Sequence, residues 1–235
     1  MDAQIAKLVS NLHVLESAAL ADVMVAMGLS SQVLGSELFQ LGPAKKFAGP
    51  ALCARGAETS ELPPVSTHEL DALVYPGAVV VIETGRCQRG AIIGDNMVAS
   101  MRKAGAVGFV VDGGVRDADE LSLAEAPIVC RYKSPTSAHR FWAYRELQVP
   151  ISLPGIWQDV TIRPGDLIMG DGDGIVALPL QHASIIIRYA EQHVATESRI
   201  RRAIENGTSR EEATVGSNRL KHVIPVNESS HTPTE

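Results

Sequence analysis

The sequence predicts a single-domain α/β fold closed by a long C-terminal helix, and three observations predict it. A helical run at residues 95–104 stands between two apolar, β-branched runs at 78–83 and 107–111, the strand–helix–strand rhythm of a parallel sheet. Residues 149–178 break into short apolar runs separated by Pro, Gly and Asp turns, which predicts a β-rich layer. Residues 181–206 then continue without Gly or Pro to a stop at Gly207, with Ile185, Ile186, Tyr189, Val194 and Ile200 apolar.

Residues 5–27 carry apolar positions at helical spacing, with Leu20, Val23, Met24 and Met27 on one face and Gly28 placed to end the helix. The run 78–83 follows the Pro76-Gly77 turn and the run 49–55 opens on Gly49-Pro50, and both read as strands of a buried sheet. Gly105 ends the 95–104 helix and 107–111 follows as a strand. Next come the loop 112–117, a helical turn within 117–126 and a short strand at 127–130. That loop therefore sits at the C-terminal end of a strand, where open α/β folds place ligands. In the β-rich layer, strands are expected at 149–153, 160–162, 167–169 and 175–178. At 235 residues the chain suits one core better than two. The domain is expected over 1–224, with a polar, disordered tail over 225–235.

A net charge of -6 with only 4% aromatic residues argues against a nucleic-acid binder, which needs clustered cations and stacking faces, and against an anionic membrane surface. Cys53, Cys87 and Cys130 are widely spaced and form no CxxC pair, so they read as buried reduced thiols. Residues 1–13 lack a basic segment followed by an apolar run, and no stretch approaches a membrane span, which fits a cytoplasmic enzyme.

Two clusters can carry chemistry. Gly94-Asp95-Asn96-Met97 opens a helix, where first-turn amides and the helix dipole favour an anion, so the Asn96 and Met97 amides suit a carboxylate. Asp95 by itself reads as a helix cap. Asp112-Gly113-Gly114-Val115-Arg116-Asp117 sets a cation beside an anion after two glycines that allow an unusual backbone path. Arg116 can hold a carboxylate bidentately and Asp117 is a hard oxygen ligand for Mg²⁺ or Mn²⁺, although a local ion pair on a turn has the same residues. At this spacing the two clusters converge on one edge of the sheet.

The segment GDNMVASMRKAGAVGFVVDGGVRD, residues 94–117, resembles the signature of the class II pyruvate aldolases that cleave 4-hydroxy-4-methyl-2-oxoglutarate and 4-carboxy-4-hydroxy-2-oxoadipate. Their superfamily also contains the regulator of ribonuclease activity A. The similarity runs from SAALADVMVAMG through KKFAGPALCARG and RPGDLIMGDGDGIVALP to the C-terminal helix. The resemblance implies an α/β/β swivelling-type fold, assembled as a homotrimer or homohexamer with sites between subunits. It implies Asp117 as the direct metal ligand, Asp95 reaching the metal through water, and Arg116 with Gly94, Asn96 and Met97 around a pyruvate moiety. Glu197 falls where the family supplies a further carboxylate from a neighbouring subunit; by composition it is equally a solvated helix residue. The expected reaction is a lyase cleavage to pyruvate and a second keto acid, with oxaloacetate decarboxylation as a side activity, since loss of CO₂ gives the same enolate. Arg86 and Arg89, in the stretch 83–90, do not match the aldolase pattern; they could reach a distal substrate carboxylate or pair at an interface.

Other chemistries are less well served. The lysines lie mostly in charged or amphipathic settings, which disfavours a Schiff base. Residues 170–174 have the outline of a calcium loop, but position 12 from Asp171 is His182, so a tight turn between strands is expected. No HxxxH or HExxH pair supports zinc. Residues 79–90 have the outline of a nucleotide or S-adenosylmethionine loop, which motivates a methyltransferase alternative, but Cys87 replaces the middle glycine. A non-catalytic, ribonuclease-binding regulator is the stronger rival; by the resemblance that branch lacks the Arg-Asp pair kept here at 116 and 117.

Overall fold

The computed structural model describes residues 2–29, 32–59, 65–217 and 219–226. Two helices open the chain, α1 (Ala3–Leu12) and α2 (Ser17–Ala26), bent by 107° where the sequence predicts one helical region over 5–27. The restart has a tertiary cause. The Asp171 carboxylate accepts from the Ser17 amide at 2.8 Å and from its hydroxyl at 2.6 Å, satisfying the first turn of α2 without a preceding helix. Gly28 ends α2 as expected, with φ 83°.

The chain continues as β1 (Phe39–Gln40), β2 (Phe47–Glu58), α3 (Thr67–Leu73), β3 (Val79–Glu83), β4 (Ala91–Ile93), α4 (Asp95–Lys103), β5 (Gly108–Val111) and β6 (Gly114–Val115). Then come α5 (Ala118–Ser122), β7 (Ile128–Cys130), β8 (Tyr132–Lys133), β9 (Trp142–Leu147), β10 (Ile151–Leu153), β11 (Val160–Ile162), β12 (Leu167–Gly170), β13 (Ile175–Leu178), α6 (Leu180–Glu205) and α7 (Arg210–Thr214). The predicted α/β class and the long C-terminal helix are both present. Asp171 lies in the tight turn joining β12 to β13.

The large sheet runs β1-β7-β5-β3-β2-β12-β13, with β9 paired to the far half of β2. Its centre, β7, β5, β3 and β2, is parallel, and β12 and β13 are antiparallel. Strands β3 and β5 are β-branched and apolar because both faces are covered. On one side lie α3, α4, α5 and a small parallel sheet, β4-β6-β8, around a core that includes Leu52, Ile82, Met101 and Phe109. Each of these side chains is fully buried, worth roughly 1.5–3 kcal/mol. Helices α1, α2 and α6 form a second core with β12 and β13.

The small sheet and α3 have no counterpart in the sequence reading. Asp95 is also displaced from its expected role: Gly94 is the N-cap of α4 and Asp95 is the first helical residue. At the C-terminus, the Val226 amide donates to the Met27 carbonyl at 2.9 Å and Val226 packs on the second core, so the expected tail is held at its start; residues 227–235 lie outside the described residues. Among the described residues no single helix is long and apolar enough to cross a membrane.

Burial raises the Asp171 carboxyl, but the Ser17 hydroxyl and amide and the amides of Asp173 and Gly174 outweigh it and hold the group below the ordinary carboxylate range. A carboxylate depressed by folding adds stability above its unfolded pKa and loses it as pH falls through the folded one. Asp171→Asn is therefore expected to cost about 1–2 kcal/mol in urea unfolding at pH 7, with the gap to wild type closing below about pH 4.

Candidate active site

Strands β4 and β6 are neighbours, so the turns at their C-terminal ends meet. One turn is Gly94-Asp95 at the start of α4; the other is Arg116-Asp117 before α5. The Arg116 amide donates to the Ile93 carbonyl at 3.1 Å. The Asp95 amide donates to Asp117 Oδ2 at 3.0 Å, and Arg116 Nε lies 3.6 Å from the same oxygen. The four residues thus form one cluster, with the Arg116 and Asp117 side chains partly open to solvent.

Gly94 makes this approach possible. A Cβ there would lie 2.5 Å from Asp117 Oδ2 and 2.9 Å from Arg116 Nε, although its extended backbone, φ -139°, suits any residue. Because Gly94 has no side chain to cap α4, the amides of Asn96 and Met97 are left for water or an anion. Asp117 itself is left-handed, φ 56° and ψ 42°, and its side chain makes no cap bond to α5. Its carboxylate is turned back towards α4 instead.

Below this cluster, the Asp112 carboxylate is 1% exposed and pairs with Arg131 Nε. Burial raises the Asp112 carboxyl above its ordinary value and the Arg131 guanidinium opposes the rise. Thr84 Oγ1 donates to the Asp112 carbonyl. Gly113 and Gly114 were expected to permit an unusual path, yet neither has positive φ. They are required by packing: a Cβ on Gly113 would lie 3.0 Å from the Thr84 methyl, and one on Gly114 2.4 Å from the Tyr132 ring. Sequence reading missed Thr84, Asp112 and Arg131 as supports, since nothing local pairs residues 19 or 28 positions apart.

A family model described as "RraA-like: Aldolase/RraA" matches residues 17–177. The chain belongs to the RraA-like family. A Halalkalibacterium halodurans protein named "Putative 4-hydroxy-4-methyl-2-oxoglutarate aldolase" is 37% identical over 132 residues, which is 56% of this chain and 60% of that protein. A Burkholderia multivorans protein of the same name is 32% identical over 145 residues, 62% of this chain and 83% of that one. The chain therefore spans less than two thirds of the first relative and more of the second. A solved Streptomyces coelicolor structure, described as RraAS2, an unusual member of the RNase ES inhibitor RraA protein family, is 27% identical with a TM-score of 0.75, covering 84% of this chain and 96% of that one. The RraA-like family thus holds both aldolase-named and inhibitor-named members.

Other residues singled out in the sequence of this RraA-like chain lie elsewhere. Glu197, on α6, accepts from Arg219 Nη1 at 2.7 Å, and α6 belongs to the second core rather than to the layer of α4. Arg86, with φ 61°, pairs with Asp159 at 3.2 Å, and Arg89 pairs with Glu58 at 3.6 Å while stacking 4.4 Å over Phe141. A cleft of about 550 Å³, lined by Glu37, Arg86, Gln88, Arg131, Tyr132 and Pro154, lies at the opposite end of β4-β6-β8 from Gly94 and Arg116. Lys45 and Lys46 are bonded through Nζ to the Ala124 and Leu15 carbonyls, each at 2.6 Å. Cys53, Cys87 and Cys130 are free and buried, as expected.

Gly94→Ala tests the cradle. The atoms a new Cβ meets belong to the Asp117 and Arg116 side chains and none to the backbone, so the expected stability loss is about 1–2 kcal/mol. Asp117 is expected to leave the Asp95 amide, read as a shift of that amide's NMR resonance; an unshifted resonance in the folded variant would contradict the account.

Proposed function

We propose that the chain is a divalent-metal-dependent lyase that cleaves a 4-hydroxy-2-oxo acid, such as 4-hydroxy-4-methyl-2-oxoglutarate, to pyruvate and a second keto acid. The observation that carries this reading is the meeting of Arg116 and Asp117 with the N-terminus of α4 across Gly94, which has no side chain to cap it. The aldolase-named relatives support it.

The donor set suits a hard cation that keeps most of its water. Among the described residues no group of three or more His, Cys, Asp and Glu could hold a metal, so a cage built from one chain's side chains does not fit. Mg²⁺ or Mn²⁺ needs only one or two carboxylates. Asp117 would be the direct ligand and Asp95 would act through water. Glu197 would come from a neighbouring subunit of a trimer or hexamer. When bound, the cation supplies the positive charge that stabilises a pyruvate enolate.

The chain's own residues do the rest. Arg116 binds the C1 carboxylate, and the Asn96 and Met97 amides at the positive end of α4 hold it in place. A water positioned by Asp95 takes the proton of the 4-hydroxyl. The C3–C4 bond breaks, its electrons pass into the enolate, C4 becomes a carbonyl, and protonation at C3 yields pyruvate. Loss of CO₂ from oxaloacetate leaves the same enolate, so decarboxylation is expected as a side activity.

A second reading, a non-catalytic regulator that binds a ribonuclease, is favoured by the Streptomyces coelicolor relative. Coupling pyruvate release to lactate dehydrogenase separates the two. Asp117→Ala and EDTA are each expected to reduce turnover by about 10²–10³-fold. Arg116→Lys, which loses bidentate geometry but keeps the charge, is expected to lose about tenfold in kcat/KM. Turnover indifferent to EDTA and to Asp117→Ala would sink the metal mechanism, and no turnover on any such acid, with tight ribonuclease binding, would establish the regulator.

A further inference from the structure

Strands β3, β5 and β7 of the large sheet lead in turn into β4, β6 and β8 of the small one, keeping the same side-by-side order. Thr84, Asp112 and Arg131 each immediately follow one of the large-sheet strands, and they bond to one another. Thr84 Oγ1 donates to the Asp112 carbonyl, Arg131 Nε donates to the Asp112 carboxylate, and the Arg131 amide donates to the Gly113 carbonyl at 2.9 Å. Thr84 is 0% exposed and is itself held: its carbonyl accepts from the Trp142 indole at 2.9 Å and its hydroxyl from the Cys87 amide at 3.2 Å.

This row stands beside a strand with one buried side chain to fix it, Val115. Strand β6 is Gly114 and Val115 alone, and its register on β4 is already irregular. Short, glycine-rich strands specify their register weakly, because few side chains choose between faces. A slip of one residue moves the chain by about 3.3 Å. The bond that joins Asp117 Oδ2 to the Asp95 amide is 3.0 Å long, so such a slip breaks it. The main-chain bonds on either side of β6, from Arg116 to Ile93 and from Ser134 to Val115, transmit register but do not choose it.

We propose that the Thr84–Asp112–Arg131 row is a positioning device that sets the register of β6, and through it the placement of Arg116 and Asp117 against the N-terminus of α4. All three residues act through β6, at its N-terminal end, away from Arg116 and Asp117. Glu37 also reaches Arg131, at Nη2 and 3.0 Å, but from the exposed side and outside the row. The consequence for turnover rests on the aldolase reading of the site; the consequence for geometry does not.

The test reads amide hydrogen exchange at Asp95 and Arg116, whose N–H groups bridge β4 and β6, with Val110 in the large sheet reporting global opening. Thr84→Val keeps the shape but removes the hydroxyl, and Arg131→Lys keeps the charge but removes Nε. Each is expected to speed exchange at Asp95 and Arg116 by at least about tenfold more than at Val110. Thr84→Ser and Glu37→Gln are expected to leave the ratio at its wild-type value. In protein that turns over, kcat is expected to fall in step with exchange for Thr84→Val and Arg131→Lys and to be restored by Thr84→Ser. If Asp95 and Arg116 change only in proportion to Val110 in folded Thr84→Val or Arg131→Lys, the row is merely structural and the proposal fails. Wild-type protein without turnover would overturn the aldolase reading, while the exchange ratio would still decide the row.

Discussion

The site depends on one contact, the acceptance of the Asp95 amide by Asp117 Oδ2 across the bare backbone of Gly94. Asp117 stands in a left-handed conformation that costs a non-glycine residue roughly 1–2 kcal/mol. A charge-assisted hydrogen bond is worth roughly 1.5–3 kcal/mol, nearer the lower figure for a side chain as exposed as this one, so the bond is enough to offset the backbone cost. The same contact ties down the first amide of α4, while Gly94 offers no side chain to cap the next ones and Arg116 stands at that end of the helix. Backbone strain, a missing Cβ and a helix terminus held by a distant carboxylate are therefore parts of one arrangement.

That arrangement needs two strands to end side by side, and the large sheet supplies this by handing its central strands in order to the small one. The large sheet is anchored by β3 and β5, which are buried on both faces. The small sheet shares the core beneath the large one through Ile92, Ile93 and Val115, but its strands are too short to fix their register by packing alone. Its geometry is borrowed through buried polar bonds at the crossings, which explains why a carboxylate as buried as Asp112 is found there with a guanidinium against it.

Much of this was legible in the sequence, and the reasons differ by element. Strands β3 and β5 are unbroken apolar runs, helices α4 and α6 carry helical periodicity, and the stops at Gly28, Gly105 and Gly207 follow from positive φ. The strands β4, β6 and β8 have two or three residues each, too few for any period to show. Residues 5–27 read as one helix because the cause of the break, Asp171, is distant in sequence. Gly113 and Gly114 read as allowing an unusual backbone path when they are in fact crowded, since a sequence displays the absence of a side chain but not what approaches it.

The candidate site was legible through the segment 94–117, whose composition alone left Asp95 a helix cap and Arg116-Asp117 an ion pair. The contacts among them decide how they stand to one another; Glu197, bonded to Arg219, is not among those contacts within one chain. The central claim is that this cluster stabilises a pyruvate enolate with a divalent cation. It is tested most directly by ¹H NMR of pyruvate in D₂O with the protein and Mg²⁺. The expected result is loss of the methyl signal as C3 protons exchange, abolished by EDTA and by Asp117→Ala. A methyl signal that persists with folded wild-type protein and saturating Mg²⁺ would contradict it.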